Sequence, residues 1–252
     1  MKLEGKVKDL VNILQKSSCN GIFDPITYEF KDGQIITKMY AEGQLVAFLG
    51  KFNALDIEAE KDEKLIVNAT DLMEQLKPMS GNSDFVMEKI DNILRISNSK
   101  ETVNFKLDEE RVGQTIPMTD IPFKTKKDSI YFRDKELTTN FKVKIQELRE
   151  LMSRRDIIGV NYIKLDVTDN NIKGIVGDMK KAKYHSRDYN IDGEIQKTNN
   201  ESIEIAFGFA EIVGVLSGEI DIHFAENTVL SVFDKTEDYK VVYTLASVDV
   251  IE

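Results

Sequence analysis

Residues 6–16, KVKDLVNILQK, and residues 144–154, KIQELRELMSR, write nearly the same helix twice at an offset of 138. The apolar positions superpose: Val7, Leu10, Ile13 and Leu14 fall on Ile145, Leu148, Leu151 and Met152. Their i, i+3, i+7 spacing puts each set on one stripe of a 3.6-residue helix, the pattern of a helix that covers a core with one face. Self-similarity at a fixed offset is a statement about architecture, and it matters only when the rest of the chain repeats as well.

The rest does repeat, in the same order. YEFKDGQIITKMYAEG (28–43) matches LDVTDNNIKGIVGDMK (165–180) at an offset of 137. Each alternates as a strand, turns at Asp32-Gly33 or Asp169-Asn170-Asn171, and alternates again, which is the signature of a hairpin. DLMEQLKPMSG (71–81) matches GFAEIVGVLSG (208–218), again at 137, and both read as short amphipathic helices closed by a glycine. NILRI (92–96) faces TVLSV (228–232) inside runs that read as strands. The pattern predicts a duplicated α+β fold with helices packed on one face of antiparallel sheets. Domain boundaries follow: an N-terminal domain over 1–111, a connector over 112–139 and a C-terminal domain over 140–252. The connector has no counterpart, holds Pro117 and Pro122, and reads as a segment crossing the surface.

Of 252 residues, 41% are hydrophobic, ample for a core. The apolar stretch 203–216 is broken by Glu204, Glu211 and glycines, and the N-terminus lacks a signal-peptide core, so a soluble intracellular protein without a membrane partner is expected. One cysteine and two histidines rule out an internal disulfide and a His/Cys metal cluster. Cys19 reads as a packed thiol; His223, on the polar side of the strand EIDIHF, and His185, in a basic loop, read as solvated. The sequence has no phosphate-binding loop, dinucleotide fingerprint, nucleophile elbow or zinc-protease motif. No catalytic residue, metal or cofactor is expected, which argues against an enzyme. A net charge of −10 counts against a protein that grips polyphosphate, but not against one that encircles DNA with an acidic exterior and a modestly positive lining.

Two tandem halves, each with two short helices and many strands, joined by a proline-containing connector, resemble the DNA sliding clamps of the proliferating cell nuclear antigen family from Lys2 to Glu252. The most specific pieces are the hairpin DGQIITKMYAEGQLVAFL around Met39 and the ending Tyr243-Thr244-Leu245-Ala246. There the family usually has Tyr-Leu-Ala-Pro, and Ser247 stands in place of the proline. The resemblance implies a duplicated sliding-clamp fold and a ring, usually a homotrimer joined head to tail, with helices lining the hole. It implies duplex DNA as a topological, sequence-independent partner, a clamp loader, and DNA polymerase and other replication or repair proteins as clients. It also implies a nuclear location in a eukaryote and the cytoplasm or nucleoid otherwise. A divergent archaeal, bacteriophage or viral version fits the pattern as well as a cellular one.

At about 100° per residue, Lys8, Asn12, Gln15 and Lys16 lie opposite the apolar stripe of the first helix. The third helix offers Gln146, Glu150, Ser153 and Arg154 with Arg149 on its flank, the second Asp71 and Glu74 with Lys77 beside them, the fourth Gly208 and Glu211. By the resemblance these faces look into the channel, making Lys8, Lys16, Lys77, Arg149 and Arg154 the DNA-binding candidates; the alternative is that each is an ordinary solvated charge. A weak, salt-sensitive affinity for duplex DNA is expected. Ring closure needs sheet edges. One candidate is ETVNFKLDEER (101–111), with Val103, Phe105, Asp108 and Glu109, and its partner lies in GDMKKAKYHSR (177–187), with Lys180 and Lys183. Opposite charges would meet there, although the basic run also reads as a DNA-facing loop. Client peptides, by the resemblance, dock among Met39, Val46, Ile121, Pro122, Phe123, Tyr243, Leu245 and Ala246, of which Met39, Val46 and Leu245 equally suit a core. Two further readings stand beside the processivity clamp: a clamp-fold viral factor that binds DNA directly as a monomer or dimer, and a duplicated α+β enzyme of unrecognised activity.

Overall fold

Each half of the computed structural model contains a strand that runs without a loop into a helix. The structure describes the chain apart from residues 42–45, 61–62, 108–115, 118–122, 127–128, 159–162, 178–185, 206 and 249–252, and at 116–117, 125–126 and 155–158 it describes the backbone alone. Two compact units result, one of residues 1–44, 48–119 and 235–241, the other of 45–47, 120–234 and 242–252.

The first half contains β1 (Lys2–Lys6), α1 (Val7–Ser18), β2 (Ile26–Lys31), β3 (Gln34–Ala41), β4 (Val46–Phe52), β5 (Asp56–Glu58), β6 (Lys64–Val67), α2 (Ala69–Leu76), β7 (Asp84–Ile90), β8 (Ile93–Ser97), β9 (Thr102–Lys106) and β10 (Ile116–Pro117). Its strands form the antiparallel order β5-β1-β7-β8-β9 and the order β4-β3-β2-β6, with β10 beside β3. The second half contains β11 (Phe123–Lys126), β12 (Ser129–Phe132), β13 (Lys135–Glu136), β14 (Thr139–Lys144), α3 (Ile145–Ile158), β15 (Ile163–Thr168), β16 (Asn171–Gly177), β17 (Ser186–Ile191), β18 (Gly193–Lys197), β19 (Glu201–Ile205), α4 (Phe209–Val215), β20 (Glu219–Phe224), β21 (Val229–Lys235) and β22 (Tyr239–Ala246). Here the orders are β18-β14-β20-β21-β22 and β17-β16-β15-β19. Strand for strand these repeat the first half, β1 answering to β14, β9 to β22 and β4 to β17.

The apolar stripes behave as the spacing predicts. Val7, Leu10, Ile13 and Leu14 are buried, as are Ile145, Leu148, Leu151 and Met152. The turn between β2 and β3 is made by Asp32 and Gly33, both in the left-handed region (φ 52° and 71°), which matches the twist of a two-residue hairpin. At the start of α2, Asn68 Oδ1 accepts from the Asp71 N–H at 2.8 Å, while the Asp24 carboxylate accepts from the N–H groups of Ala69 (3.0 Å) and Thr70 (3.2 Å). The exposed amide donors of the first turn are thereby met, and a negative charge sits at the positive end of the helix dipole.

Two expectations change. The Ser-Gly pairs do not close α2 and α4, which stop at Leu76 and Val215. They lie in the following loops, where the Gly81 carbonyl accepts from the Lys8 N–H (2.9 Å) and the Gly218 carbonyl from the Ile145 N–H (2.9 Å). The repeated glycines therefore serve the starts of α1 and α3. The connector, expected as a segment crossing the surface, contains the three-stranded antiparallel sheet β11-β12-β13 among its described residues.

In the second unit, α3 packs tightly on its sheet at Gly174 of β16, where an added Cβ would stand 2.6 Å from Leu151 Cδ1. Gly174→Val should therefore force α3 outward and lower stability by about 1–3 kcal/mol, the usual cost of overpacking a filled core. A denaturant titration that leaves the unfolding midpoint unchanged would contradict this packing.

Candidate functional site

The helix faces bear much of the expected charge, but not all of it. Lys8 and Gln15 on α1 are exposed, as are Asp71, Glu74 and Lys77 around α2 and Gln146, Arg149 and Ser153 on α3. Lys16 is a correction: it is 2% exposed, and its ammonium lies 4.4 Å from the centre of the Tyr239 ring. The helical wheel supposes one covered face, whereas at the last turn of α1 Tyr239 covers Lys16 on a second side, and Ser17, Ser18 and Cys19 are buried too. Gly208 is likewise buried, in a left-handed conformation (φ 81°) as the N-cap of α4.

The remaining cations are largely engaged. Lys77 pairs with Glu74. Arg149 donates from Nη2 to the Leu216 carbonyl at 3.1 Å, placing a cation at the negative end of α4. Arg154 stacks over the Tyr189 ring at 4.3 Å and lies 4.0 Å from Glu150. Tyr189 belongs to β17, and its hydroxyl donates to Glu147 (2.9 Å) and Glu150 (3.1 Å) of α3, while the Asp192 N–H donates to Glu147 (3.1 Å). Burial first, then the two carboxylates it donates to, push the Tyr189 phenol up to about 12. Nothing in the local sequence announces this cluster beyond the i, i+3 spacing of Glu147 and Glu150, because its tyrosine comes from a distant strand.

Both candidate interface segments contain edge strands. Among the described residues β9 pairs only with β8, and β17 only with β16. Val103 and Phe105 are half-buried, alternating with exposed Thr102, Asn104 and Lys106. Asp108, Glu109, Lys180 and Lys183, with His185, lie outside the described residues. In the first unit, the Asn53 N–H donates to the Asp238 carbonyl (2.9 Å) and Phe52 packs against Tyr239, so the end of β4 lies beside the start of β22. Those two strands are the counterparts of β17 and β9.

The expected client groove is mostly core. Met39, Val46, Tyr243 and Leu245 are buried because each takes an inward position of its strand, so none presents an open apolar surface. Ala246 and Phe123 are half-buried, and Ile121 and Pro122 lie outside the described residues. Phe123 stands at the end of a chain of rings, 5.5 Å from Phe132 and 5.9 Å from Phe233, and Phe233 is 5.0 Å from His223. His223 takes the more open face of its strand, as alternation predicts, but is half-buried there; burial holds its imidazole below the ordinary value, against a smaller opposing pull from Asp221.

The whole-chain topology can be compared with solved structures. It is similar to the proliferating cellular nuclear antigen of Entamoeba histolytica, with a TM-score of 0.72, 12% identity and 98% of each chain covered. It is also similar to a chain of the PCNA2–PCNA3 complex of Sulfolobus tokodaii, at 0.73 and 12%, covering 99% of this chain and 100% of that one. The PCNA of A. fulgidus, solved with the C-terminal region of FEN-1 bound, gives 0.75 and 10%, covering 98% and 97%. The chain has the sliding-clamp fold. No family model and no curated protein matches its sequence. The clamp fold is therefore carried here by apolar spacing and strand order, with little residue identity.

Within this clamp fold, Tyr189 ties α3 to an edge strand. Tyr189→Phe should lower stability by about 1 kcal/mol, since it removes the hydroxyl shared by two carboxylates while keeping the ring under Arg154. Unchanged thermal unfolding would mean that water replaces the hydroxyl at no loss.

Proposed function

We propose that this chain is a DNA sliding clamp: a ring of identical subunits that encircles duplex DNA and tethers a polymerase and other replication or repair proteins, without chemistry of its own. The observation that carries this reading is the pair of open edges, β9 and β17, whose counterparts β22 and β4 lie side by side within one chain. A subunit-to-subunit contact through β9 and β17 would repeat the contact the chain already makes with itself, and an unpaired edge is suited to that. The sequence flanking these edges supports the direction, with Asp108, Glu109 and Glu110 after β9 and Lys180, Lys181 and Lys183 before β17.

The helix faces support retention by enclosure. Lys77, Arg149 and Arg154 are drawn into contacts within the protein and Lys16 is buried, so Lys8 is the cation best placed to meet phosphate. Tethering then raises a client's effective concentration at the DNA, so that modest affinities suffice.

Native mass spectrometry should give a trimer, and Lys180→Glu combined with Lys183→Glu should shift it toward monomer. A wild-type monomer would overturn the ring. Once loaded, the protein should stay on circular DNA and run off linear DNA of the same sequence; equal retention on both would remove topology from the account.

Free affinity for duplex DNA should be weak. Lys8→Ala should reduce the slope of log K against log salt by about one, while Arg154→Ala leaves it nearly unchanged. The opposite ranking would mean that α3, not α1, carries the phosphate contact.

A further inference from the structure

β17 is held differently from the strand it repeats. Its counterpart β4 buries Phe48 and Phe52 and ends beside β22. In β17, Ser186, Arg187, Asp188 and Asn190 are exposed, and of its six residues Ile191 alone is buried. Among the described residues it is bonded on one side only, to β16. A strand so placed has little apolar packing to keep it from fraying, and a frayed edge must be ordered again before another chain can pair with it.

What fastens β17 instead is a polar cluster on α3. Tyr189 pairs with Gly174 of β16, the residue on which Leu151 of α3 packs, so the ring lies on the sheet face that α3 covers. There its hydroxyl reaches Glu147 and Glu150, and the Asp192 N–H, just past the strand, reaches the same Glu147. Glu147 lies in the first turn of α3, where the helix dipole favours a negative charge. The first helix has no such pair of carboxylates, because the equivalent positions at the offset of 138 are Asp9 and Asn12. Its end cation is also used otherwise. Lys16, the equivalent of Arg154, lies over Tyr239 of β22, the strand beside β4, whereas Arg154 lies over a ring of the edge strand in its own half. The cation at the helix end thus goes to the neighbouring strand where the edge is covered, and to the edge strand itself where it is open.

We propose that the Tyr189, Glu147, Glu150 and Arg154 cluster is a tie that keeps β17 ordered in the single subunit, with Tyr189 as a positioning residue for the edge strand of a second copy of this chain. Ordering β17 in advance removes that cost from association, so the tie acts on the tightness of the subunit contact as well as on stability. The effect on association rests on the clamp reading; the tie itself does not.

Hydrogen exchange of residues 186–191 in the full chain, diluted until single subunits remain, tests the tie. Tyr189→Phe keeps the ring under Arg154 and should speed exchange of the amides that pair with β16 by about tenfold, the worth of one hydrogen bond to a charged acceptor. Unchanged exchange would overturn the tie. Sedimentation over a concentration series reads the contact. Tyr189→Phe should raise the subunit dissociation constant by a similar factor, whereas Ile35→Val, which trims a buried side chain of β3, should lower stability and leave that constant unchanged. Equal weakening by both variants would make Tyr189 a general stabiliser and overturn its positioning role. If the phenylalanine variant does not fold, Glu147→Gln decides instead: it weakens the acceptor of both the Tyr189 hydroxyl and the Asp192 amide, and must show the same two effects to a smaller degree. A wild-type protein that stays monomeric at every concentration would remove the clamp reading and the positioning role together, while exchange would still decide the tie.

Discussion

A helix that begins where a strand ends has no loop in which to place a capping residue, and both halves of this chain accept that constraint in the same way. Lys6 precedes α1 without a side-chain cap. The first amides of the helix instead continue the hydrogen-bonding of the strand before them. Lys6 pairs with Asp84 in the β1–β7 ladder, and the next donor, the Val7 N–H, reaches the Ser83 carbonyl at 3.0 Å. Lys144 pairs with Glu219 in the β14–β20 ladder, and the Ile145 N–H reaches Gly218. One register thus sets the central strand pair, the starting residue of the helix and the face it turns to the sheet. A slip of one residue would expose the apolar stripe and orphan the first amides together.

From that constraint the duplication follows. Once strand, helix and central register are fixed, the rest of each half is a hairpin, a short helix and further antiparallel strands, and the two sheet orders coincide strand for strand. The requirements are sparse: four apolar positions per long helix, a turn that tolerates left-handed backbone, a loop carbonyl at a set place. Such requirements leave most side chains free, which is why structures only 10–14% identical share the fold over nearly the full chain. Repetition also accounts for the edges. β22 has β4 beside it, while among the described residues the equivalent β9 pairs only with β8 and β17 only with β16.

What the sequence discloses is what periodicity and offset can carry. The stripes of α1 and α3, the Asp32-Gly33 turn and the recurrence of segments at one spacing are local or quasi-local, and they appear in the structure as read. What it conceals is set by residues far apart in the chain. Lys16 looks solvated on a helical wheel because Tyr239, which covers it, lies more than two hundred residues away. His223 looks solvated by strand alternation because the ring that packs edge-on against it, Phe233, comes from the neighbouring strand. The Ser-Gly pairs were visible as a repeat, but their role depends on a ladder partner that a window of sequence does not contain. Met39 and Tyr243 show the same limit from the other side, since an inward strand position and a groove wall have the same pattern of residue types.

The electrostatics of the helices bear on how such a fold would hold DNA. A protein that binds polyphosphate by attraction keeps its cations free, because each contact releases counterions only if the charge was not already neutralised. Here the cations are engaged: Glu74 pairs with Lys77, the Leu216 carbonyl accepts from Arg149, and Arg154 stacks on the Tyr189 ring beside Glu150. With a net charge of −10, the exterior repels the same polymer. If such a fold holds DNA, attraction from so few free cations would be weak at physiological salt, where exposed charges are screened beyond about 8 Å. On the proposed clamp reading, residence would come from closure, and closure from the edges. On that reading few free cations suit the division, since strong phosphate contacts would resist translocation along a duplex while adding little to a closed ring.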